Sequence, residues 1–200
     1  PDATRVADER IVSLTWPHPL LVVPDAVCVV MCAIGAVTDL RSRRIPNWLT
    51  VGGMAAAVVL NGLLPVALGA ERSALTLAVA SLAGGALMLV VFGLLGAIHF
   101  VGMGDVKAMI AVGLLLRWPA ALWALAYVTL AGGVIALGYA LARGRLGAVL
   151  GNLGRIGRRT LLRDREAPQP ELHRIPYGLA ILVGAAWAAL ANYVPALRVG

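Results

Sequence analysis

Six apolar runs, at residues 20–38, 49–68, 74–98, 106–116, 119–142 and 176–195, leave this chain little room for a soluble fold. The runs lack polar alternation, so helices built from them are apolar on every side. Such helices belong in lipid, where each backbone amide must bond within its own segment. Composition agrees: 60% of residues are hydrophobic and 14% charged, against about a quarter charged in a soluble domain. Most runs come close to the roughly 20 residues that a span needs. The fourth is shorter and would rise only about 17 Å as a helix. It is expected to pack inside the bundle with water at one end. Pro119 breaks it from the fifth run. The expected fold is all-α, a polytopic membrane bundle with about six transmembrane helices.

The net charge of +7 does not point to nucleic acid, because the basic residues cluster between apolar runs, as in cytoplasmic loops. With six spans, one face receives Arg41, Arg43, Arg44, Lys107, Arg143, Arg145, Arg155, Arg158, Arg159, Arg163, Arg165 and Arg174. The other receives Arg5, Arg10, Arg72, Arg117 and Arg198. Twelve against five places the first face in the cytoplasm and both termini outside. Residues 1–19 form an N-terminal tail without the features of a secretory signal, and residues 20–195 a single membrane domain. Within it, 143–174 is a cytoplasmic basic loop or an amphipathic helix on the inner leaflet. Gly84, Gly85, Gly93 and Gly96 allow close helix packing in the third run. Cys28 and Cys32 read as core side chains, and no Cys-x-x-Cys pair suggests zinc, so no metal or cofactor is expected.

Only three of the acids, Asp25, Asp39 and Asp105, abut or enter apolar runs. A charge at the bilayer centre costs on the order of 2.5–3.5 kcal/mol on insertion scales, so such residues usually face a cavity and have a task. Asp25 reads as structural, tolerated near the start of the first helix by its N-terminal dipole. Asp39 ends the first helix and Asp105 starts the fourth, at one depth on the cytoplasmic face. Two carboxylates that meet cannot both ionise easily, which gives an acid and a base around one water. On spacing alone the plainer explanation is slightly favoured: two unrelated interfacial aspartates, neutralised by Arg41 and Lys107. His99 reads as an interfacial histidine.

The flanking residues change this balance. Asp39 precedes Ile45-Pro46-Asn47 by six residues, and Asp105 lies in Gly102-Met103-Gly104-Asp105-Val106-Lys107. Arg174-Ile175-Pro176-Tyr177-Gly178 opens the last run. In this order the three resemble the signatures of the prepilin peptidase family of GxGD-type intramembrane aspartic proteases, over about residues 20–195. The resemblance implies Asp39 and Asp105 as catalytic residues, with Ile45, Pro46, Asn47, Gly102, Gly104, Lys107, Pro176, Tyr177 and Gly178 as motif support. Locally, Gly102 and Gly104 let the backbone approach a substrate strand or Asp39. Pro46 and Asn47 read as the stop and cap that start the second helix. Lys107 either holds Asp105 ionised or meets lipid phosphate.

The resemblance further implies an endopeptidase that removes the leader from type IV prepilin or pseudopilin precursors at the cytoplasmic face of a bacterial inner membrane. Its partners would be the precursor peptide, the bilayer and the pilus-assembly machinery, with no nucleic acid. Larger members of the family carry a cytoplasmic domain with paired Cys-x-x-Cys motifs and also methylate the product. Only a short loop joins Asp39 to Trp48 here, as in the compact form associated with Flp (tight-adherence) pili. N-methyltransferase activity is therefore not carried over. The helix dipoles favour an ionised Asp105 as base and Asp39 as acid, while Arg41, Arg43 and Arg44 oppose that assignment. Three other readings stay open. A presenilin-like protease would place a tyrosine where Thr38 stands; Pro195-Ala196-Leu197 is explained by chance. A proton-coupled carrier would use the acids as a relay, and a pilus-assembly scaffold would not need them.

Overall fold

A computed structural model of the chain describes residues 19–98, 101–142 and 177–193. The N-terminal tail, His99, the 143–174 stretch, Arg174 to Pro176 and Pro195 to Leu197 lie outside the described residues. Helix α1 is Pro19–Ser42. Helix α2, Asn47–Val58, widens into a π turn, Val59–Leu63, and closes in one last α turn, α3, Leu64–Ala67. Then come α4, Glu71–Ala97, α5, Met103–Leu116, α6, Ala120–Ala142, and α7, Tyr177–Ala191. Among the described residues there is no strand.

Each apolar run has become a helix, with α2, the π turn and α3 forming one body. Four helical stretches are long and apolar enough to cross a membrane: Leu20–Ser42, Asn47–Ala67, Glu71–Ala97 and Ala120–Gly138. Helices α5 and α7, with 14 and 15 residues, fall short of that length. The outer surface of the bundle is inverted relative to a soluble protein. Val30, Leu75, Leu82, Leu94, Leu130 and Val134 all stand mostly exposed, an apolar belt too broad for water. The chain is a membrane protein.

Helix α5 is the axis of the bundle. Val106, Ala108, Met109, Ala111, Val112, Leu115 and Leu116 are all buried, as the shortness of the fourth run requires. Close approach to α4 comes from two facing glycines. A Cβ on Gly113 would run into the Gly84 carbonyl oxygen, and one on Gly84 into that of Gly113. Gly85 and Gly96 are likewise buried against α5, at Leu114 and Val106, but Gly93 borders only Leu89 of its own helix.

Helix α5 ends where Pro119 requires it to. Arg117 takes a left-handed conformation, φ 64, and the Trp118 N–H leaves the helix to donate to the Ala80 carbonyl at 2.8 Å. Helix α1 also ends on a left-handed residue, Arg43 at φ 53, whose N–H donates to the Asp39 carbonyl at 2.8 Å. That closure stops α1 just beyond Asp39. Because α1 and α5 run antiparallel, the end of one helix meets the start of the other.

Candidate active site

Asp39 is buried, with 8% of its surface exposed, in the last turn of α1. Its Oδ2 accepts the main-chain N–H of Gly178 at 2.9 Å, so the start of α7 is docked on this carboxylate. The fit depends on glycine. A Cβ at Gly178 would lie 3.0 Å from both Cβ and Oδ2 of Asp39 and 3.2 Å from the Ala36 Cα. The preceding Tyr177 is half-buried; its ring centroid lies 6.5 Å from that of Phe92, and its phenol is within electrostatic range of Asp105.

Asp105 is half-buried in the first turn of α5, which Gly102 caps in an extended conformation. The Gly102 carbonyl accepts the N–H groups of Asp105 and Val106, at 3.0 and 3.1 Å. The Asp105 carboxylate reaches back to the Gly102 backbone, as the acid of a capping box does. Asp105 precedes the apolar part of α5 and lies outside the four long spans. Burial first, and the charge of Asp39 second, raise its carboxyl to about 6, against the smaller opposing effect of the Gly102 bond. The two aspartates are therefore within electrostatic range of one another, from helices far apart in sequence.

The loop after Asp39 and the first turn of α5 are braced together. Lys107 Nζ donates to Asn47 Oδ1 at 3.1 Å. Gly104 packs on Ile45, so that a Cβ there would lie 3.6 Å from the Ile45 Cβ. This corrects one expectation and narrows two others. Pro46, rather than Asn47, is the N-cap of α2, and no side chain caps that end; the Asn47 amide instead faces Lys107. Lys107 bonds Asn47, and neither Asp39 nor Asp105 is in an ion pair among the described residues; Arg41, Arg43 and Arg44 are exposed. Gly102 and Gly104 face Asp105 and Ile45, not Asp39. Pro176 lies outside the described residues. Beside Asp39, where α1, α2, α5 and α7 meet, lies a narrow depression lined by Met31, Cys32, Gly35, Ala36, Leu49, Thr50 and Gly178 among others. Apart from the Thr50 hydroxyl its side chains are small or apolar.

The opposite end of the bundle holds a cluster that sequence reasoning missed. Arg117, counted above as an ordinary basic residue of the outer face, is 5% exposed and pairs with Asp25 at 2.7 Å. Asp25 is not in the first turn of α1, which contains no acid, so an ion pair rather than the helix dipole supports it. Arg117 also donates to Asn61 Oδ1 and to the Leu115 carbonyl, both at 2.9 Å. The other oxygen of Asp25 accepts from Asn192 at 3.0 Å and Tyr193 at 2.8 Å. A signal was present in the sequence: an acid inside an apolar helix needs a cation at its own depth, and Arg117 stands alone between the fourth and fifth runs.

A family model described as the type IV leader peptidase family matches residues 26–137. This chain belongs to that family. The matched stretch spans α1 to most of α6 and contains Asp39, Ile45 to Asn47 and the Gly102–Lys107 segment. A type IV leader peptidase is a protease acting on prepilin-type substrates, in accord with the prepilin peptidase resemblance of the motifs. No curated protein and no solved structure matches the chain.

Proposed function

We propose that this type IV leader peptidase is an aspartic endopeptidase whose reacting groups are Asp39 and Asp105. It would cleave the leader of type IV prepilins or pseudopilins, of the Flp type, at the cytoplasmic face of a bacterial inner membrane. The observation that carries this proposal is that the buried Asp39 of α1 lies within electrostatic range of the half-buried Asp105 of α5. A carboxyl that titrates near 6 gives and takes a proton readily near neutral pH. Asp105 holds the proton of the acid, and Asp39, bonded to the Gly178 N–H, takes a proton from water. The resulting hydroxide adds to the scissile carbonyl, and Asp105 supplies a proton to the departing amine. This assignment reverses the one that helix dipoles alone suggest, because burial and the charge of Asp39 raise Asp105 against the Gly102 backbone bond that favours its ionised form.

The small and apolar side chains beside Asp39 suit the approach of the substrate's hydrophobic segment, and the exposed Arg41, Arg43 and Arg44 favour the cytoplasmic side for this end of the bundle. Helices α1, α5 and α7 each run between the same two levels, one at Asp39 and one at Asp25, which favours six passes with both termini outside. The membrane domain would then extend over 20–195. The short connection between Asp39 and Trp48 supports cleavage without methylation.

Co-expression with a prepilin precursor tests this function. A shorter product should appear with the wild-type chain and vanish with Asp39→Ala and with Asp105→Ala. Processing that survives both substitutions would leave the aspartates without a catalytic role.

A further inference from the structure

The two helices that carry the aspartates are joined a second time, at their far ends. On α1, Asp25 lies about 21 Å from Asp39 at 1.5 Å per residue; on α5, Arg117 lies about 18 Å from Asp105. The two lengths nearly match, and the helices are antiparallel. A contact at one end therefore sets the alignment at the other. Packing alone specifies this alignment weakly. The surfaces that α1 offers to its neighbours are largely small or unbranched side chains, such as Cys28, Met31, Cys32 and Ala36, and these slide past one another more easily than branched ones. A buried charge pair is different: it has one favourable register, because a shift of one turn leaves both charges unpaired in an apolar setting.

The pair is also locked from every side. Arg117 is fixed by the Leu115 carbonyl and by Asn61, and Asn61 in turn donates to the Leu114 carbonyl at 3.1 Å. Ser81 of α4 reaches the same carbonyl at 2.6 Å. Asn61 sits in the π turn, whose extra residue re-aims side chains relative to a plain α-helix. Among the described residues no buried side-chain polar atom is left without a partner. So α1, the π turn, α4, α5 and the end of α7 converge on one ion pair.

We propose that Asp25 and Arg117 are positioning residues for the reaction: their ion pair sets the axial register of α1 against α5 and thereby the approach of Asp39 to Asp105. The proposal rests on Asp39 and Asp105 being the reacting pair. It assigns a task to a cluster that touches no substrate and stands at the opposite membrane face from the chemistry.

Two readouts test it. The first is cleavage by purified protein in bilayers. Asp25→Asn and Arg117→Gln should lower kcat at least tenfold while KM stays within about twofold, and Arg117→Lys, which keeps the charge, should recover a substantial part of the loss. The second is a spin-label distance between Val37→Cys and Met103→Cys, both exposed in the native chain, on a Cys28→Ala/Cys32→Ala background. That distance should be narrowly distributed in the otherwise unchanged protein, and shifted or broadened in Asp25→Asn. If the neutral variants do not accumulate in membranes, Asp25→Glu carries both measurements, with smaller changes in the same direction. Folded variants with the native distance and the native kcat would overturn the proposal, as would a fall in thermal stability alone. The distance needs no substrate. A wild-type chain that cleaves no prepilin therefore sinks the proposed function only, whereas an unchanged distance sinks the positioning role.

Discussion

The main-chain N–H of Gly178 donates to the Asp39 carboxylate at 2.9 Å, so helix α7 begins on a side chain from the end of α1. The contact accounts for the glycine of the Pro-Tyr-Gly segment. A methyl group there would meet Asp39 and Ala36 at 3.0–3.2 Å, and neither the α1 backbone nor a buried carboxylate yields easily. Gly178→Ala should lower kcat by roughly ten- to a hundredfold, as small displacements of a reacting group do. Overpacking of this kind costs about 1–3 kcal/mol, so the protein should remain folded. Cleavage kinetics beside a melting curve check this. Native kcat in Gly178→Ala would show that the docking is incidental.

The Lys107–Asn47 bond joins the first turns of α5 and α2 at 3.1 Å. If it braces the loop that leaves Asp39, its two partners act as one unit. Lys107→Met and Asn47→Ala should each slow cleavage severalfold, and the double variant should be no slower than the worse single one. An ion pair with Asp105 predicts otherwise, since loss of the lysine alone would then matter. Additive losses in the double-mutant cycle would separate the two residues.

How far the sequence disclosed these features depends on the range of the interaction involved. Each helix was legible because its cause is local: an apolar run, a proline at 119, the turn after Asp39. The pairing of Asp39 with Asp105 was legible through motif and topology, which place both at one depth. Its electrostatics were not, since the dipole of α5 is a local quantity and the desolvation of Asp105 depends on what α1 and α7 bring against it. Asn47 likewise looked like a cap because capping is local, while its partner Lys107 comes from another helix. Arg117 was hidden for the same reason. A charge count treats it as solvated, and only the packing of α1 on α5 shows that Asp25 lies opposite. The membrane passes of α5 and α7 also exceed what length can show, because buried helices need not match the lipid.

The raised carboxyl of Asp105 gives the pH–rate profile a sign. In the proposed mechanism Asp105 is the acid, so the competent free enzyme is the form in which that carboxyl is protonated. Its protonation is lost as pH rises through about 6. The value of kcat/KM should therefore fall on the alkaline side with an apparent pKa near 6. The corresponding limb of kcat should lie higher, because a bound apolar segment excludes more water from the site. Measured between about pH 5 and 9, a kcat/KM that instead rises through this range would give Asp105 the base's role and Asp39 the acid's.

The same shift predicts that Asp105 is held at some cost in stability. A carboxyl whose folded value, about 6, exceeds its unfolded value of 3.8 binds its proton more tightly in the folded state. Ionisation therefore opposes folding: the effect is absent below 3.8, grows between 3.8 and about 6, and is complete above. Asp105→Asn has nearly the same shape and cannot ionise. At about pH 7.5 it should melt higher than the wild type, by on the order of 2–4 °C for each kcal/mol regained. Near pH 4 the two proteins should melt together, since wild-type Asp105 is then protonated. Melting curves of purified protein in detergent at both pH values, with cleavage assayed alongside, make the comparison. A stabilised but inactive Asp105→Asn would show burial and the neighbouring Asp39 acting against the fold at the residue the reaction needs. A variant less stable than wild type at pH 7.5 would mean that the Gly102 bond, rather than desolvation, dominates the environment of Asp105.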